Sequence, residues 1–293
     1  MTDALMSNDN NRESLIERAA EVYDFGSVFR APEAAPAKAE IPLTVEETPR
    51  VVGAQAGTID RDRLRADGFL LPDAPVGALA EEFRLVKRQL LMRADAEETA
   101  KDRMVLICSA QPNEGKTFCA VNLALSLASE LDREVLLVDA DVAKPEVMST
   151  LGLSGSAGLI DAIADPDANV EDFVIQTDIP KLSVLPAGRA SNDDTELLSS
   201  ARAAELIESL AASNPRRIVI LDSAPALAAS PATVLAHRVG RVLVVVRADR
   251  TKEADLREAV TLLDGCDDIS LLLNGTSFFG TNRTYGSYYG ADA

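Results

Sequence analysis

Tryptophan is missing from the 293 residues, histidine occurs once, and cysteine occurs three times. Cys108, Cys119 and Cys266 have neither the spacing of a disulfide framework nor that of a zinc site, so reduced thiols in a cytosolic protein are expected. The lone His237 lies in the helical stretch "SPATVLAHRVG", away from every motif, and is assigned no role. No run of 18 consecutive apolar residues occurs, so no membrane-spanning helix is expected. The start "MTDALMSNDNNRE" lacks the basic and apolar blocks of a signal peptide. Basic residues are in deficit, with 29 Lys and Arg against 47 Asp and Glu, a formal charge of −18. That balance argues against broad binding of nucleic acid, which requires a basic face, and against unaided adhesion to anionic lipid. Tyrosine is scarce too: of four in the chain, Tyr285, Tyr288 and Tyr289 crowd into "TNRTYGSYYGADA".

What is present is a chain of three parts. Residues 1–75 hold a short amphipathic helix, "SLIERAAEVY", and a segment rich in Ala, Pro and Glu that reads as a largely disordered linker. The helix is either a surface element of the body or a docking element; periodicity alone does not separate the two. Residues 76–276 alternate between helical patterns and short apolar runs. "ALAEEFRLVKRQLLMRA" and "GKTFCAVNLALSLASEL" read as helices; "RMVLICSA", "EVLLVDAD", "KLSVLPAG", "RRIVILDSAP", "RVLVVVRAD" and "DISLLLNG" read as buried strands. Such alternation predicts an α/β fold, a mostly parallel sheet with helices on both faces. Residues 277–293 form a flexible tail carrying the tyrosine cluster.

Ligands in such sheets bind at the carboxyl ends of the strands, and the polar residues of note fall there. "SAQPNEGKT", Ser109–Thr117, joins a strand to a helix. A loop of this kind wraps phosphates with backbone N–H groups at a helix N-terminus. Lys116 would reach the outer phosphates and the Thr117 hydroxyl would bind Mg²⁺. The strict pattern has Gly where Ala110 stands, and Asn113 occupies a place where Gly would be comfortable. Asp139 and Asp141 close the strand "EVLLVDAD", and Asp222 closes "RRIVILDSAP". Any one of these could be a turn or cap residue. Three carboxylates converging on the sheet edge that carries a phosphate loop are better explained by ATP with Mg²⁺.

The order "SAQPNEGKT", "VLLVDADVAKP", "IVILDSAP" and a terminal Tyr cluster resembles the bacterial tyrosine autokinases, whose P-loop nucleotide fold also serves partition and cell-division-positioning ATPases. The likeness is greatest to members found with exosortase and exopolysaccharide genes, which lack a fused membrane domain. It runs from about Val76 to the C-terminus. It implies a protein-tyrosine kinase that phosphorylates its own tail, in trans, at Tyr285, Tyr288 or Tyr289. Lys116, Asp139 and Asp141 would be catalytic, with Asp139 accepting the tyrosine proton. ATP would be bound by Gln111, Pro112, Asn113, Glu114, Gly115, Lys116, Thr117, Phe118 and the adenine-side Asn274. Mg²⁺ would be held by Thr117, Asp141 and Asp222. Glu81, Arg84 and Lys87 match a Glu-x-x-Arg-x-x-Arg self-association motif, with Lys in place of the last Arg. That exchange loses the planar two-pronged carboxylate contact. Implied partners are further copies of the chain in a ring or oligomer, a separate membrane-embedded chain-length regulator of polysaccharide export as activator, and a protein-tyrosine phosphatase. No nucleic acid is expected. The implied location is the cytoplasm, peripheral to the inner membrane.

A partition- or positioning-type ATPase switch is the competing reading. Such relatives carry an additional Lys near the start of the loop, where this chain has Ser109, Ala110 and Gln111. A non-catalytic nucleotide scaffold is suggested by Ala110 and Asn113 but opposed by Lys116, Thr117 and the three aspartates. The first tyrosine of the tail lies about ten residues beyond Asn274, a reach of about 35 Å when extended. Length alone leaves cis and trans delivery of its tyrosines both open.

Overall fold

In the computed structural model, residues 55–72, 77–94, 99–190 and 193–276 are described. The expected helix "SLIERAAEVY" and the tail tyrosines lie outside them. The strands are β1 (Gln55–Gly57), β2 (Met104–Ser109), β3 (Glu134–Ala140), β4 (Ile175–Thr177), β5 (Leu182–Leu185), β6 (Arg217–Ser223), β7 (Arg241–Arg247) and β8 (Ile269–Asn274). The helices are α1 (Arg61–Ala66), α2 (Ala78–Ala94), α3 (Lys116–Ala128), α4 (Val147–Leu151), α5 (Leu159–Ala164), α6 (Asp194–Ser199), α7 (Ala201–Ala212), α8 (Pro231–Ala236) and α9 (Glu253–Leu262).

The strands form one sheet in the order β1-β4-β5-β3-β6-β2-β7-β8. Every pairing is parallel except β4 with β5. The reason is legible in the central strands. Alternate residues of β2 enter opposite cores: Met104, Leu106 and Cys108 join one apolar cluster, Val105 and Ile107 the other. A strand buried on both faces has no polar alternation, and helices must cover each side. α5, α7 and α8 supply the first cluster; α2 and α3 supply the second. All three thiols are buried, and burial pushes those of Cys108 and Cys119 up to about 12. They pack as apolar groups and carry no thiolate chemistry at neutral pH.

The structure corrects the expected linker. Residues 55–72 fold onto the body as a strap: β1 pairs with β4, and Ile59, Leu64 and Leu71 are core residues. α1 starts on Asp60, whose side chain accepts from the Arg63 amide. It ends with the Phe69 amide donating to the Leu64 carbonyl, 2.8 Å, and Gly68 in the left-handed region. Those start and stop residues are readable in "IDRDRLRADGF". β1 and β4 gave no signal because each has three residues.

A second difference concerns "ELLSSARAAELIESLAAS", which reads as one helix and folds as two. Ser200 is extended, and its hydroxyl accepts from the Ala203 amide at 3.1 Å. A serine that caps a new helix competes with continuation of the old one.

Candidate functional site

Three loops meet at the carboxyl end of the sheet. The loop after β2 runs into α3, and two left-handed residues shape it: Asn113 at φ 63° and Gly115 at φ 95°. Asn is the side chain most tolerant of that region after Gly, which explains how the loop keeps its turn without a glycine at 113. Gly115 has no such substitute. A Cβ there would lie 2.2 Å from Asn274 Nδ2, which donates to the Glu114 carbonyl at 3.0 Å. The expected adenine-side residue Asn274 is thus also a brace that joins the end of β8 to the loop.

Glu114, expected to contact ATP, is buried, and both oxygens of its side chain are taken up within the protein. One oxygen accepts from the Gln111 amide at 2.9 Å and the other from the Thr251 hydroxyl. The Gln111 side chain donates to Asp255 at 3.3 Å. These two side chains hold the loop's shape against α9.

Lys116 and Thr117 open α3, both buried. Lys116 Nζ lies 2.7 Å from Asp141 Oδ2, just beyond β3. Burial alone would lower its pKa, but Asp222 and Asp141 raise it, so the ammonium stays charged. Asp139 and Asp222 stand in register on neighbouring strands, almost wholly buried. Burial, then Asp222, pushes Asp139 up to about 7. Burial also pushes Asp222 up to about 7, against the pull of Lys116 and of the nearby Thr117 hydroxyl. Asp139 Oδ2 accepts from the Val147 amide at 3.0 Å, at the start of α4. Its other oxygen, and both of Asp222, are buried without a hydrogen-bond partner.

Buried carboxylate oxygens without partners, beside a hydroxyl and an ammonium, fit a cation with a phosphate. Among the described residues no three acidic, imidazole or thiol side chains cluster as a metal cage. The fit is therefore to a hard ion such as Mg²⁺ that draws most of its ligands from water and phosphate oxygens. A cavity of about 460 Å³ opens over the loop, lined by Pro112, Asn113, Gly115, Lys116, Thr117, Phe118 and Asp141 among others. Asp139 and Asp222 lie behind this lining. Phe69, from the strap, also lines it; sequence reasoning missed this residue by treating the strap as linker.

Of the expected self-association residues, Arg84 and Glu81 form an exposed pair at 2.6 Å on α2. Lys87 is put to a different use. It is 9% exposed and points to the end of α3, donating to the Ser126 carbonyl at 3.1 Å and pairing with Glu130 at 2.6 Å. A cation there meets the negative end of the helix dipole.

The family described as AAA domain matches residues 103–257. The tyrosine-protein kinase YwqD of Bacillus subtilis is 30% identical over 74% of this chain and 88% of its own length. This chain belongs to the bacterial tyrosine-protein kinase family. Among solved structures, the VpsO kinase domain is 31% identical, with a TM-score of 0.56 over 66% of this chain and 93% of that one. The succinoglycan biosynthesis transport protein ExoP of Rhizobium meliloti is 32% identical over 64% of this chain and 24% of its own length. This kinase-family chain spans about a quarter to a third of the length of several curated relatives it matches. Among its described residues no helix is long and apolar enough to cross a membrane.

Proposed function

We propose that the chain is an ATP- and Mg²⁺-dependent protein-tyrosine kinase that phosphorylates the tyrosines of its own tail, delivered from a neighbouring copy. The observation that carries the reading is the Lys116–Asp141 pair facing one cavity, with Thr117 beside it and Asp222 behind it, in a chain of the kinase family. Transfer forms a bond from a tyrosine oxygen to the γ-phosphorus and breaks the bond from that phosphorus to the β–γ bridging oxygen. ADP leaves with the electron pair, and the tyrosine proton passes to a carboxylate. The requirements are alignment and neutralisation of charge more than covalent help. Lys116 neutralises the outer phosphates. Bound Mg²⁺, held by Thr117, Asp141 and Asp222, would screen the β- and γ-oxygens. By family resemblance Asp139 would accept the proton; one of its oxygens is free of partners but lies behind the cavity lining that Asp141 faces.

Self-association uses the outer face of α2, where Glu81 and Arg84 stand beside the exposed Leu85 and Met92. Lys87 is left out of that face. The name of ExoP, a succinoglycan biosynthesis transport protein, supports a role in making or exporting a polysaccharide; a membrane-embedded regulator as activator and a phosphatase to reset the tail belong to the same proposal. Each phosphate adds about −1.5 to −2 charge to an already acidic protein, so phosphorylation favours disassembly.

The test is incubation of purified full-length protein with ATP and Mg²⁺, followed by mapping of phosphosites. Modification at Tyr285, Tyr288 or Tyr289, abolished in Lys116→Met, is the expected result. ATP turnover with an unmodified tail would instead indicate an ATPase switch and overturn the reading.

A further inference from the structure

Phe69 and Phe118 come from different parts of the sequence and meet at the rim of the cavity. Phe118 follows Thr117 in the first turn of α3; Phe69 closes α1 of the strap. Their ring centroids are 4.9 Å apart with planes tilted by 47°, and both are half-buried. The geometry is that of a favourable aromatic pair with some ring surface left uncovered.

One buried side chain holds both. Asn122 is 0% exposed on α3. Its Oδ1 accepts from the Leu70 amide at 2.7 Å, and its Nδ2 donates to the Phe118 carbonyl at 2.9 Å. A buried amide hydrogen-bonded through both its oxygen and its nitrogen fixes its partners in register. It pins the strap to the nucleotide-loop helix beside the residue that carries each ring. Leu71 and Leu64 anchor the strap from beneath. The rings are therefore set in place by the fold.

Both rings line the cavity that Lys116, Thr117 and Asp141 also line. Much of the remaining apolar lining is Ala143, Ala224, Pro225 and Ala228, small side chains that leave the space open. Lys144, which also lines it, is paired with Glu146 at 2.8 Å. An open slot with an aromatic pair on its wall and a phosphate-binding lysine in its floor suits a flat ring carrying a hydroxyl.

We infer that the Phe69–Phe118 pair is the surface on which the phosphoacceptor tyrosine ring packs. It would select tyrosine over serine and threonine by giving the ring an aromatic partner that an aliphatic hydroxyl cannot use. The inference rests on the kinase reading above and adds a residue, Phe69, that lies outside the nucleotide-binding motifs.

The experiment uses the full chain and two probes: a synthetic peptide of residues 280–293 as acceptor, and a fluorescent N-methylanthraniloyl-ADP for the nucleotide side. Phe69→Leu keeps an apolar side chain against the core but removes the ring. It is expected to raise the KM for the peptide about 3- to 10-fold, the range of one aromatic contact, with kcat changed less than twofold. Affinity for the ADP probe should stay within twofold, which also certifies the fold. Phe69→Tyr should retain the wild-type KM. An unchanged peptide KM in Phe69→Leu overturns the inference while leaving the kinase reading intact. A loss of ADP affinity as large as the rise in peptide KM also overturns it, since the rings would then serve the nucleotide. If the wild type labels neither its tail nor the peptide, the kinase reading fails, and this inference with it.

Discussion

Lys116 Nζ and Asp141 Oδ2 lie 2.7 Å apart, both almost wholly withdrawn from solvent. The pair links the phosphate loop to the end of β3. In the kinase reading proposed above it sets two demands on one ammonium, since phosphate oxygens would share it with a carboxylate. Lys116→Met should abolish phosphorylation and also lower the unfolding free energy by about 3–5 kcal/mol, because Asp141 is left as an uncompensated buried charge. Adding Asp141→Asn should return part of that stability without returning activity. Urea titrations of the four members of this cycle check it. Strictly additive losses would mean that the two groups do not interact.

Gly115 is held at φ 95° with Asn274 Nδ2 in the space a Cβ would occupy. Gly115→Ala is therefore expected to cost about 1–3 kcal/mol of stability and to weaken the ADP probe about tenfold or more, the equivalent of 1.4 kcal/mol. Asn274→Ala removes the brace without the backbone strain and should weaken the nucleotide less. Fluorescence titration of the ADP probe against the two variants decides the order.

Arg84 and Lys87 occupy the same helix and matched the same sequence motif, yet one is exposed and the other is not. Arg84→Ala should change the oligomeric state seen by light scattering and leave the melting temperature within a degree or two, as expected for an exposed pair. Lys87→Met should do the reverse. It removes a charged hydrogen bond at the end of α3, at a cost of about 1–3 kcal/mol. A Lys87 variant that dissociates without losing stability would contradict the placement described here.

The strap carries a pH dependence. Asp178 accepts from the Ile59 amide at 2.8 Å and pairs with Arg61. Burial would raise its pKa, but the Arg61 guanidinium and the Ile59 amide hold it below the usual carboxylate range. A depressed folded pKa contributes stability that is complete above the unfolded value of about 3.9 and is lost as pH falls through the folded value. The difference in melting temperature between wild type and Asp178→Asn should be constant above about pH 5 and shrink below about pH 4. A difference that does not depend on pH would show that the charge on Asp178 contributes nothing.

Much of the fold could be read from the chain. Six of the strands have apolar runs long enough to register as buried, and each predicted run corresponds to a strand in the sheet. β1 and β4 have three residues each, too few for any period to show. The strap was misjudged because Ala-, Pro- and Glu-rich sequence precedes it, although Asp60, Gly68 and the run Phe69–Leu71 carry ordinary helix-boundary and core signals. The burial of Lys87 against α3 was not legible for a different reason: spacing along a helix says which residues share a face, but not which partner the face meets.

Residue types and their order were enough to place a P-loop-like segment, three strand-terminal carboxylates and a cluster of tyrosines in one α/β protein. They sufficed because strands, loops and helix starts are specified locally, by periodicity and by a few backbone-sensitive residues. The folded chain alone decided three further things: which aspartate faces the cavity, which cation faces a helix end, and which aromatic from beyond the motif reaches the rim. Each depends on contacts between residues far apart in sequence. Phe69 is brought to Phe118 because its neighbour Leu70 donates to the buried Asn122 of α3 and the nearby Leu64 and Leu71 enter the core, contacts that the strap's own sequence does not specify.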